Sequence, residues 1–346
     1  MKNIFLTILI AITTIGATSQ TYLTQVKPEG SKFWGYANEE GELIIPAKYK
    51  KCFPFSGGFA VVYINKTYSF IKPDGSLLNT KVKDFRLAKS SLFGLQGFSN
   101  GMVQVKLGDK WGYLNTEGEL VIEAKYDDAS FFSQGFAIVK IGEGFLIIDK
   151  QGNETPVTIS GIKKLKHFSE DLAVFTSLNG KIGFINTKGE VVIDPQFLST
   201  GYFINGVAWA KNESKELGYI NKTGEWVIDA KFMAGKNFDP ISGLARVKYN
   251  DQWAYVTMSG DIKMIKDTDV WGDFNNGLAK GRKDGKLGFF DKTGAFVIEP
   301  KFEGVRNFKN GFAAAKLNGK WGMINAKGEW IIQPEYIGIK DMELIP

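Results

Sequence analysis

Residues 110–126 of this 346-residue chain read KWGYLNTEGELVIEAKY, and this stretch decides the fold. Its first six residues predict a strand, residues 116–118 a turn and residues 119–126 a second strand. Asn115 can cap a type I turn with its side chain, and Gly118 supplies the left-handed residue that closes a short hairpin with a bulge. The stretch therefore predicts a β-hairpin.

The Trp-Gly pair of this hairpin marks a slot that recurs along the chain. Successive slots are 34, 43, 34, 37, 35, 36, 34 and 34 residues apart, which makes nine units. The slots hold, in chain order, Trp34-Gly35, Tyr68-Ser69, Trp111-Gly112, Phe145-Leu146, Ile182-Gly183, Leu217-Gly218, Trp253-Ala254, Leu287-Gly288 and Trp321-Gly322. A fixed period in this range indicates a repeat architecture, in which each unit buries its apolar face against its neighbours.

Each unit reads as a three-stranded antiparallel meander. A Phe-x-x-Gly-x-Ala pattern leads into a strand that turns directly into the next Trp-Gly strand, and the post-turn strand follows. Proline recurs in the post-turn strand, at Pro46, Pro195, Pro300 and Pro334. Because proline cannot donate to a ladder, this strand is expected at a sheet edge. Residues 22–26 supply the first strand and residues 330–336 the last, so no strand is expected to be shared between the termini.

Such meanders can stack as an open superhelix or sit radially like the blades of a propeller. Propellers usually have four to eight blades, generally of four strands. Nine three-stranded units favour an all-β fold in which tandem repeats form an open, curved β-solenoid. A closed, propeller-like ring is the alternative, because sequence does not reveal the small rotation between units that sets curvature.

Together, the motifs Lys-Trp-Gly-Tyr-x-Asn-x-x-Gly, Val-Ile-x-Pro-x-Tyr and Phe-x-x-Gly-x-Ala resemble those of the WG-repeat (KWG) family. The resemblance covers nearly all of residues 20–346, although units two, four and seven depart from the motif. It implies a bacterial exported or surface protein of β repeats with no assigned activity. No catalytic residue is carried over, because the family motif contains none.

Residues 1–19 predict a secretory signal peptide rather than a structural element. Lys2 gives the positive start, residues 4–15 are apolar, and the small residues Ala17 and Ser19 precede a cut before Gln20. We therefore expect export to the periplasm, the cell surface or the medium. Residues 20–346 are then one elongated domain of about nine units, and no later stretch is long and apolar enough for a membrane helix.

Charge and residue counts narrow the function classes. The net charge is +6 and the charges are interspersed, whereas a nucleic-acid groove needs a concentrated basic stripe. Cys52 is the only cysteine, so a disulfide within the chain is impossible. With His167 as the only histidine, a Ser-His-Asp relay or a histidine-rich metal site has one possible member. His167 falls at a variable position and is expected in a surface loop. We expect no cofactor, no metal and no nucleic-acid partner.

A binding site is expected at a repeat position that varies. The residue after the alanine of Phe-x-x-Gly-x-Ala is such a position, and three consecutive units place Trp209, Arg246 and Lys280 there. An indole beside two cations suits stacking on a sugar ring and pairing with its carboxylate or phosphate. Alternatively, Trp209 covers a local gap and the cations form a solvated face. The tryptophans of the Trp-Gly slot are expected in the core.

These observations favour a monomeric, non-enzymatic binding or scaffold protein of the cell envelope or exterior. It would contact a protein or an envelope glycan through one extended face. One alternative is a glycan-acting hydrolase with paired carboxylates, for which Asp127, Asp128, Asp194 and Asp229 are available. The other alternative is a purely structural spacer.

Overall fold

The computed structural model describes residues 21–90, 94–265, 268–269 and 271–345, and every helix or strand within them is a β-strand. Eight four-stranded antiparallel sheets and one three-stranded sheet form nine blades arranged in a ring, a β-propeller. The all-β tandem repeat and the closed-ring alternative are thus confirmed, and the open array is not formed. The predicted signal peptide lies outside the described residues.

Blades are numbered in chain order, and each has a strand near the ring axis, which comes first in the chain in blades 2 to 9. These axial strands, from blade 1 to blade 9, are β37 (Gly338–Ile345), β4 (Cys52–Ser56), β7 (Arg86–Leu87), β13 (Asp128–Ala129), β17 (Ile162–Ser169), β21 (Ser199–Thr200), β25 (Ala234–Gly235), β29 (Phe274–Asn275) and β33 (Gly304–Val305). The second strands are β1 (Thr21–Lys27), β5 (Phe59–Ile64), β10 (Met102–Leu107), β14 (Phe136–Ile141), β18 (Leu172–Ser177), β22 (Ala208–Lys211), β26 (Leu244–Tyr249), β30 (Leu278–Lys283) and β34 (Phe312–Leu317).

The third strand of each blade carries the Trp-Gly slot, and an outer strand follows it. The third strands are β2 (Trp34–Ala37), β6 (Thr67–Ile71), β11 (Lys110–Asn115), β15 (Gly144–Asp149), β19 (Ile182–Asn186), β23 (Leu217–Ile220), β27 (Gln252–Thr257), β31 (Lys286–Phe290) and β35 (Lys320–Asn325). The outer strands are β3 (Leu43–Tyr49), β12 (Leu120–Tyr126), β16 (Glu154–Pro156), β20 (Val191–Phe197), β24 (Trp226–Phe232), β28 (Ile262–Lys263), β32 (Phe296–Phe302) and β36 (Trp330–Tyr336). Blade 2 has no outer strand among the described residues, and β8 (Lys89–Ser90) pairs with β9 (Gly94–Leu95) as a separate ribbon in blade 3.

The two ends of the described chain close the ring together. The axial strand of blade 1 comes from the C-terminal end, where β37 pairs with β1 from Thr21↔Ile345 to Lys27↔Gly338. The expectation that no strand is shared between the termini is therefore wrong. Most axial strands contain only two residues, which is too short for the alternation from which strands are recognised in a sequence.

Outer strands hold neighbouring blades together. In β12 the third and seventh residues, Ile122 and Tyr126, are buried and the residues between them are more exposed. Both pack with Phe132, Ala137 and Val139 of blade 4 in one apolar cluster. The alternation of side chains along a strand explains this pattern.

Glycine in the Trp-Gly slot allows the outer strand to bulge against the third strand. A Cβ atom on Gly112 would lie 2.5 Å from the carbonyl oxygen of Ile122 and 2.8 Å from the backbone nitrogen of Ala124. The register of β11 against β12 shifts across Gly112, between Trp111 and Tyr113, and again between Tyr113 and Leu114. The slot therefore needs glycine because a side chain would collide with backbone.

The tryptophans of the slot are less buried than expected. Trp34, Trp111 and Trp321 are half-buried and Trp253 is 37% exposed, so the prediction of a core position is wrong. The rings of Trp34 and Trp321 reach across their own blades to glycines of the axial strands. Trp111 and Trp321 also pack on the apolar clusters shared with the next blade. In blade 9 the Trp321 ring approaches Gly304 of the axial strand, where an added Cβ would lie 3.1 Å away.

In four blades, the tyrosine that follows the Trp-Gly slot bonds its blade to the next one. The phenol oxygen donates to a backbone carbonyl in the axial segment of the next blade. An axial segment is the axial strand together with the residues beside it that precede the second strand. These bonds join Tyr36 to Phe53, Tyr113 to Ser130, Tyr219 to Lys236 and Tyr255 to Gly272, at 2.7, 2.8, 2.7 and 2.7 Å. The axial segments are thereby fixed by the blades before them.

Candidate binding site at the ring axis

One position of the axial segments faces the centre of the ring. It precedes a buried anchor residue that packs between blades, so strand alternation directs it to the opposite side. The anchors are Met342, Phe55, Phe98, Phe132, Phe168, Phe203, Phe238, Phe274 and Phe308, in blade order. The corresponding axial positions hold Asp341, Pro54, Gly97, Phe131, His167, Tyr202, Asn237, Asp273 and Asn307, all half-buried or exposed.

A cavity of about 350 Å³ shows that these segments meet near the axis. It is lined by Pro54 of blade 2, Gly97 of blade 3, Phe131 of blade 4, Lys309 of blade 9 and Glu343 of blade 1, among others. Five consecutive blades reach it through their axial segments. We call the surface formed by the nine axial positions the axial wall.

One side of the axial wall is aromatic. The ring of His167 lies 4.3 Å from that of Phe131 and 4.3 Å from that of Tyr202, measured between centroids. Tyr202 Oη and His167 Nδ1 are 3.3 Å apart and hydrogen-bonded, and Lys166 Nζ lies 5.9 Å from the Tyr202 ring. Blades 4, 5 and 6 thus contribute three rings in a row.

This stack keeps the histidine neutral. Burial, with a smaller contribution from the charge of Lys166, lowers the pKa of His167 to about 4. Burial also raises the pKa of Tyr202. At neutral pH both side chains are uncharged, and they offer hydrogen bonds and apolar ring edges to a ligand.

The opposite side of the axial wall is charged. Arg306 Nε donates to Asp341 Oδ1 at 2.5 Å, and Lys309 Nζ lies 2.7 Å from the Glu343 carboxylate. Burial raises the pKa of Glu343, although Lys309 opposes the shift. A second cavity, of about 610 Å³, is lined by Arg306, Lys309 and Asp341, and Lys280 also lines it.

The three residues predicted from the sequence lie directly behind the axial wall. Trp209 is half-buried in β22 and lies against Gly201, where an added Cβ would be 2.5 Å from its indole nitrogen. It packs on the apolar cluster between blades 6 and 7. Lys280 lies beside Gly272 in blade 8 and reaches the charged cavity.

Arg246 is held by the axial segment of the next blade. Its Nε lies 2.8 Å from Asp273 Oδ1, and its Nη1 donates to the carbonyl of Trp271. The guanidinium carbon lies 4.4 Å from the centroid of the Trp253 ring. Trp209, Arg246 and Lys280 occupy equivalent positions in consecutive blades, yet no hydrogen bond, ion pair or ring contact among the described residues joins two of them.

Sequence reasoning missed the axial position itself. His167 was expected in a surface loop, but it is half-buried between two rings at the centre of the propeller. A signal was present in the sequence, because Phe131, His167 and Tyr202 fall at the same repeat position in three consecutive units. Without knowledge of ring closure, that row could not be placed at an axis.

The acids considered for hydrolysis lie on different parts of the blades. Asp194 and Asp229 are exposed on the outer strands of blades 5 and 6. Asp127 pairs with Lys110 at 2.5 Å and accepts the Gly142 N–H at 2.7 Å. In the described ranges, no three His, Cys, Asp or Glu side chains gather as a metal site, and no helix has the length and apolarity to cross a membrane.

The sequence profile described as "WG containing repeat" matches seven stretches of the chain. They are residues 34–68, 94–111, 111–144, 182–215, 218–253, 288–321 and 321–342. No curated protein matches the sequence.

Many solved structures resemble this fold at low sequence identity. One, described as "Crystal structure of the eukaryotic initiation factor", is 11% identical, with 95% of this chain and 99% of that chain covered and a TM-score of 0.61. BamB from Moraxella catarrhalis is 12% identical over 80% of this chain and 94% of its own, with a TM-score of 0.42. PorZ from Porphyromonas gingivalis is 12% identical over 91% and 50%, with a TM-score of 0.31. At these identities the likeness concerns the fold alone.

Proposed function

The chain belongs to the family of WG-containing repeat proteins, and we propose that it is a non-enzymatic binding protein of the cell envelope or exterior. Its partner, a protein or a glycan, is taken up at the axial wall. The closed propeller serves as the scaffold that holds the nine axial positions around one centre.

The observation that carries this proposal is the contrast between two adjacent repeat positions. The anchor position holds phenylalanine in eight of nine blades, whereas the axial position beside it holds seven residue types. Packing fixes the anchor, but it places no such demand on the axial side chain. The axial residues nevertheless sort into an aromatic side and a charged side, as binding cavities with a few directed polar groups do.

The state of the charged groups favours binding over acid–base chemistry. His167 has a pKa of about 4, far from the operating range of a general base at neutral pH. Asp341 and Glu343 already carry cationic partners, Arg306 and Lys309. These groups can recognise a polar ligand by exchanging partners without transferring a proton.

In this proposal, the three residues predicted from the sequence have different roles. Lys280 reaches the charged cavity and is included in the proposed site. Arg246 holds Asp273 in the axial wall, and Trp209 supports the segment that carries Tyr202. We therefore assign Lys280 to ligand contact, and Trp209 and Arg246 to positioning of axial residues.

The test compares an aromatic variant in the axial wall with an aromatic variant outside it. Wild-type protein is screened against envelope extracts and a polysaccharide panel at micromolar concentrations, and the variants are then titrated against whatever binds. Tyr202→Ala should weaken binding by roughly tenfold or more, as expected for a buried aromatic contact. Phe33→Ala removes an exposed aromatic ring between β1 and β2, outside the axial wall, and should bind like wild type as the matched control.

Lys280→Ala provides a second arm on the charged side. It should weaken binding and reduce the dependence of affinity on salt, because one cation is removed from the site. The proposal fails if no protein or polysaccharide binds, or if every axial variant binds like wild type.

A further inference from the structure

Among the described strands, the third strand of blade 2 has no neighbour on its outer side. In six blades a seven-residue outer strand pairs with the third strand, but β6 pairs only with β5 among the described strands. After the turn that follows β6, Lys72 N–H donates to Ser76 and Leu78 N–H donates to Phe70. The chain then leaves the sheet, so the earlier part of β6 is an open edge.

The backbone of Tyr68 points out of this edge. Tyr68 lies opposite Tyr63 in the ladder, and the Tyr63 N–H donates in the other direction, to the carbonyl of Lys51 at 2.9 Å. In an antiparallel pair of this kind, both opposed residues direct their N–H and C=O groups away from each other. Tyr68 therefore presents one donor and one acceptor to an incoming strand.

A groove of about 880 Å³ lies along this edge, between β6 and the segment that enters blade 3. Its apolar lining includes Phe70, Leu78, Phe85 and Trp111. Phe70 and Leu78 are buried, whereas Phe85 and Trp111 are half-buried. The groove is thus wide enough for side chains and apolar at its base.

The regular blades show what fills the equivalent space. Their outer strands bury an isoleucine and, four residues later, a tyrosine or phenylalanine. These pairs are Ile45 and Tyr49, Ile122 and Tyr126, Ile193 and Phe197, Ile228 and Phe232, Ile298 and Phe302, and Ile332 and Tyr336. Blade 2 has no outer strand among the described residues to present such a pair, and Leu78 and Phe85 of the departing chain pack on the cluster instead.

The rim of the groove is strongly basic. Its charged lining consists of Lys66, Lys83, Arg86, Lys89 and Lys106 against the single carboxylate of Asp84. Lys66, Lys83 and Lys89 are exposed and form no ion pair within the described part of the chain. Such an excess of one sign attracts a segment of the opposite charge.

We propose that this groove binds an extended, acidic segment of a partner protein, which adds to β6 as the missing outer strand of blade 2. The segment carries an aliphatic residue four positions before an aromatic one, and acidic residues beside them. Main-chain bonds to Tyr68 provide part of the affinity, and the two apolar side chains provide specificity. None of the nine axial positions lines this groove, and the proposal is independent of the function proposed for the axial wall.

The probe is a fluorescent peptide with the sequence of residues 119–128, ELVIEAKYDD, which is the outer strand of blade 3 with its acidic flanks. Fluorescence anisotropy with the full protein should show saturable binding. Replacing the four acids by lysine, or methylating the backbone nitrogens, should abolish it. Equal binding of all three peptides would overturn the proposal, as would no binding of the acidic peptide.

Variants of the protein test the charged rim. Lys83→Glu with Lys89→Glu should weaken peptide binding by about tenfold at low salt, since two attractive charges become repulsive. Lys188→Glu with Lys327→Glu makes the same change in charge at exposed turn positions of blades 5 and 9, and should leave binding unchanged. An equal effect of both pairs would show that only net charge matters and would overturn the site.

Hydrogen exchange locates the peptide without any variant. The amide of Tyr68 should become protected when the acidic peptide binds. Protection confined to blade 3, from exchange with its own outer strand, would contradict the proposal. A dimer that forms through the edge of β6 and excludes the peptide would assign the surface to a second copy of the chain and would also overturn it.

Discussion

Six blades keep glycine in the Trp-Gly slot and three do not, and the outer strands follow the same division. Blades 1, 3, 5, 6, 8 and 9 have the glycine and outer strands of seven residues. Blades 2, 4 and 7 hold Ser69, Leu146 and Ala254 instead. Their outer strands are missing from the described residues, three residues long and two residues long, respectively.

The difference shows that the glycine and the long outer strand form one structural unit. The bulge that lets β12 bury both Ile122 and Tyr126 brings the Ile122 carbonyl to where a side chain on Gly112 would lie. In blade 4, Leu146 pairs with Pro156 in an unshifted register, and the strand ends there. Once a side chain enters the slot, the outer strand can pair only briefly.

The link between the slot glycine and the long outer strand is tested most directly by changing the residue after tryptophan in a regular blade and in an irregular blade. Gly112→Ala should destabilise the protein by roughly 3 kcal/mol, because the new Cβ meets backbone atoms that no side-chain rotation can move. Ala254→Gly in blade 7 should change stability by less than about 1 kcal/mol. Urea unfolding midpoints measure both, and similar losses from the two changes would refute the link between glycine and outer strand.

A second prediction tests whether water reaches the axial residues of the irregular blade 4. Burial beside Phe131 lowers the pKa of His167 from 6.5 to about 4, so the unfolded chain takes up the proton first as the pH falls. The contribution of His167 to the free energy of unfolding should be fully present above about pH 6.5. It should fall by about 2 kcal/mol as the pH approaches 4, after allowance for solvent around the ring.

His167→Asn serves as the control, because blades 7 and 9 carry asparagine at this position. Unfolding of both proteins is followed at pH 7 and pH 4.5, and the carboxylates contribute equally to each. The variant should lose less stability than wild type on acidification. Identical pH dependence would mean that water reaches the ring and that blade 4 is open at the axis.

The smallest expected effect concerns bonds between blades. Tyr113→Phe in the regular blade 3 and Tyr255→Phe in the irregular blade 7 each remove a phenol that donates to a carbonyl of the next axial segment. Each should cost about 1 kcal/mol, the usual value for one hydrogen bond. Thermal unfolding of the two variants should agree, and a much smaller loss for Tyr255→Phe would indicate that irregular blades are also detached from their neighbours.

Local turn chemistry made the repeat predictable from sequence. In the structure Gly118 N–H donates to the Asn115 carbonyl, and the Asn115 side chain accepts the N–H groups of Glu117 and Glu119. These contacts involve residues at most four apart, so their pattern is complete in the sequence. The all-β fold and the nine units followed from it.

Ring closure and the axial wall depend on contacts that a local pattern does not contain. The two-residue strand Asp128–Ala129 shows no alternation, and the pairing of β1 with β37 joins residues more than 300 positions apart. The variable positions were recognised, but which of them faces the axis depends on closure. For that reason Trp209 was identified and the neighbouring Tyr202 was not.

The antiparallel pairing of β1 with β37, the seam of the ring, places Thr21 beside Ile345. These two positions could be joined without changing the arrangement of the blades around the ring. A short linker across this seam would allow the chain to be reopened between any two blades, giving a series of circular permutants with the same ring. Comparing their unfolding would rank the blade junctions by strength, and the seam itself could be compared with connections that are covalent in the natural chain.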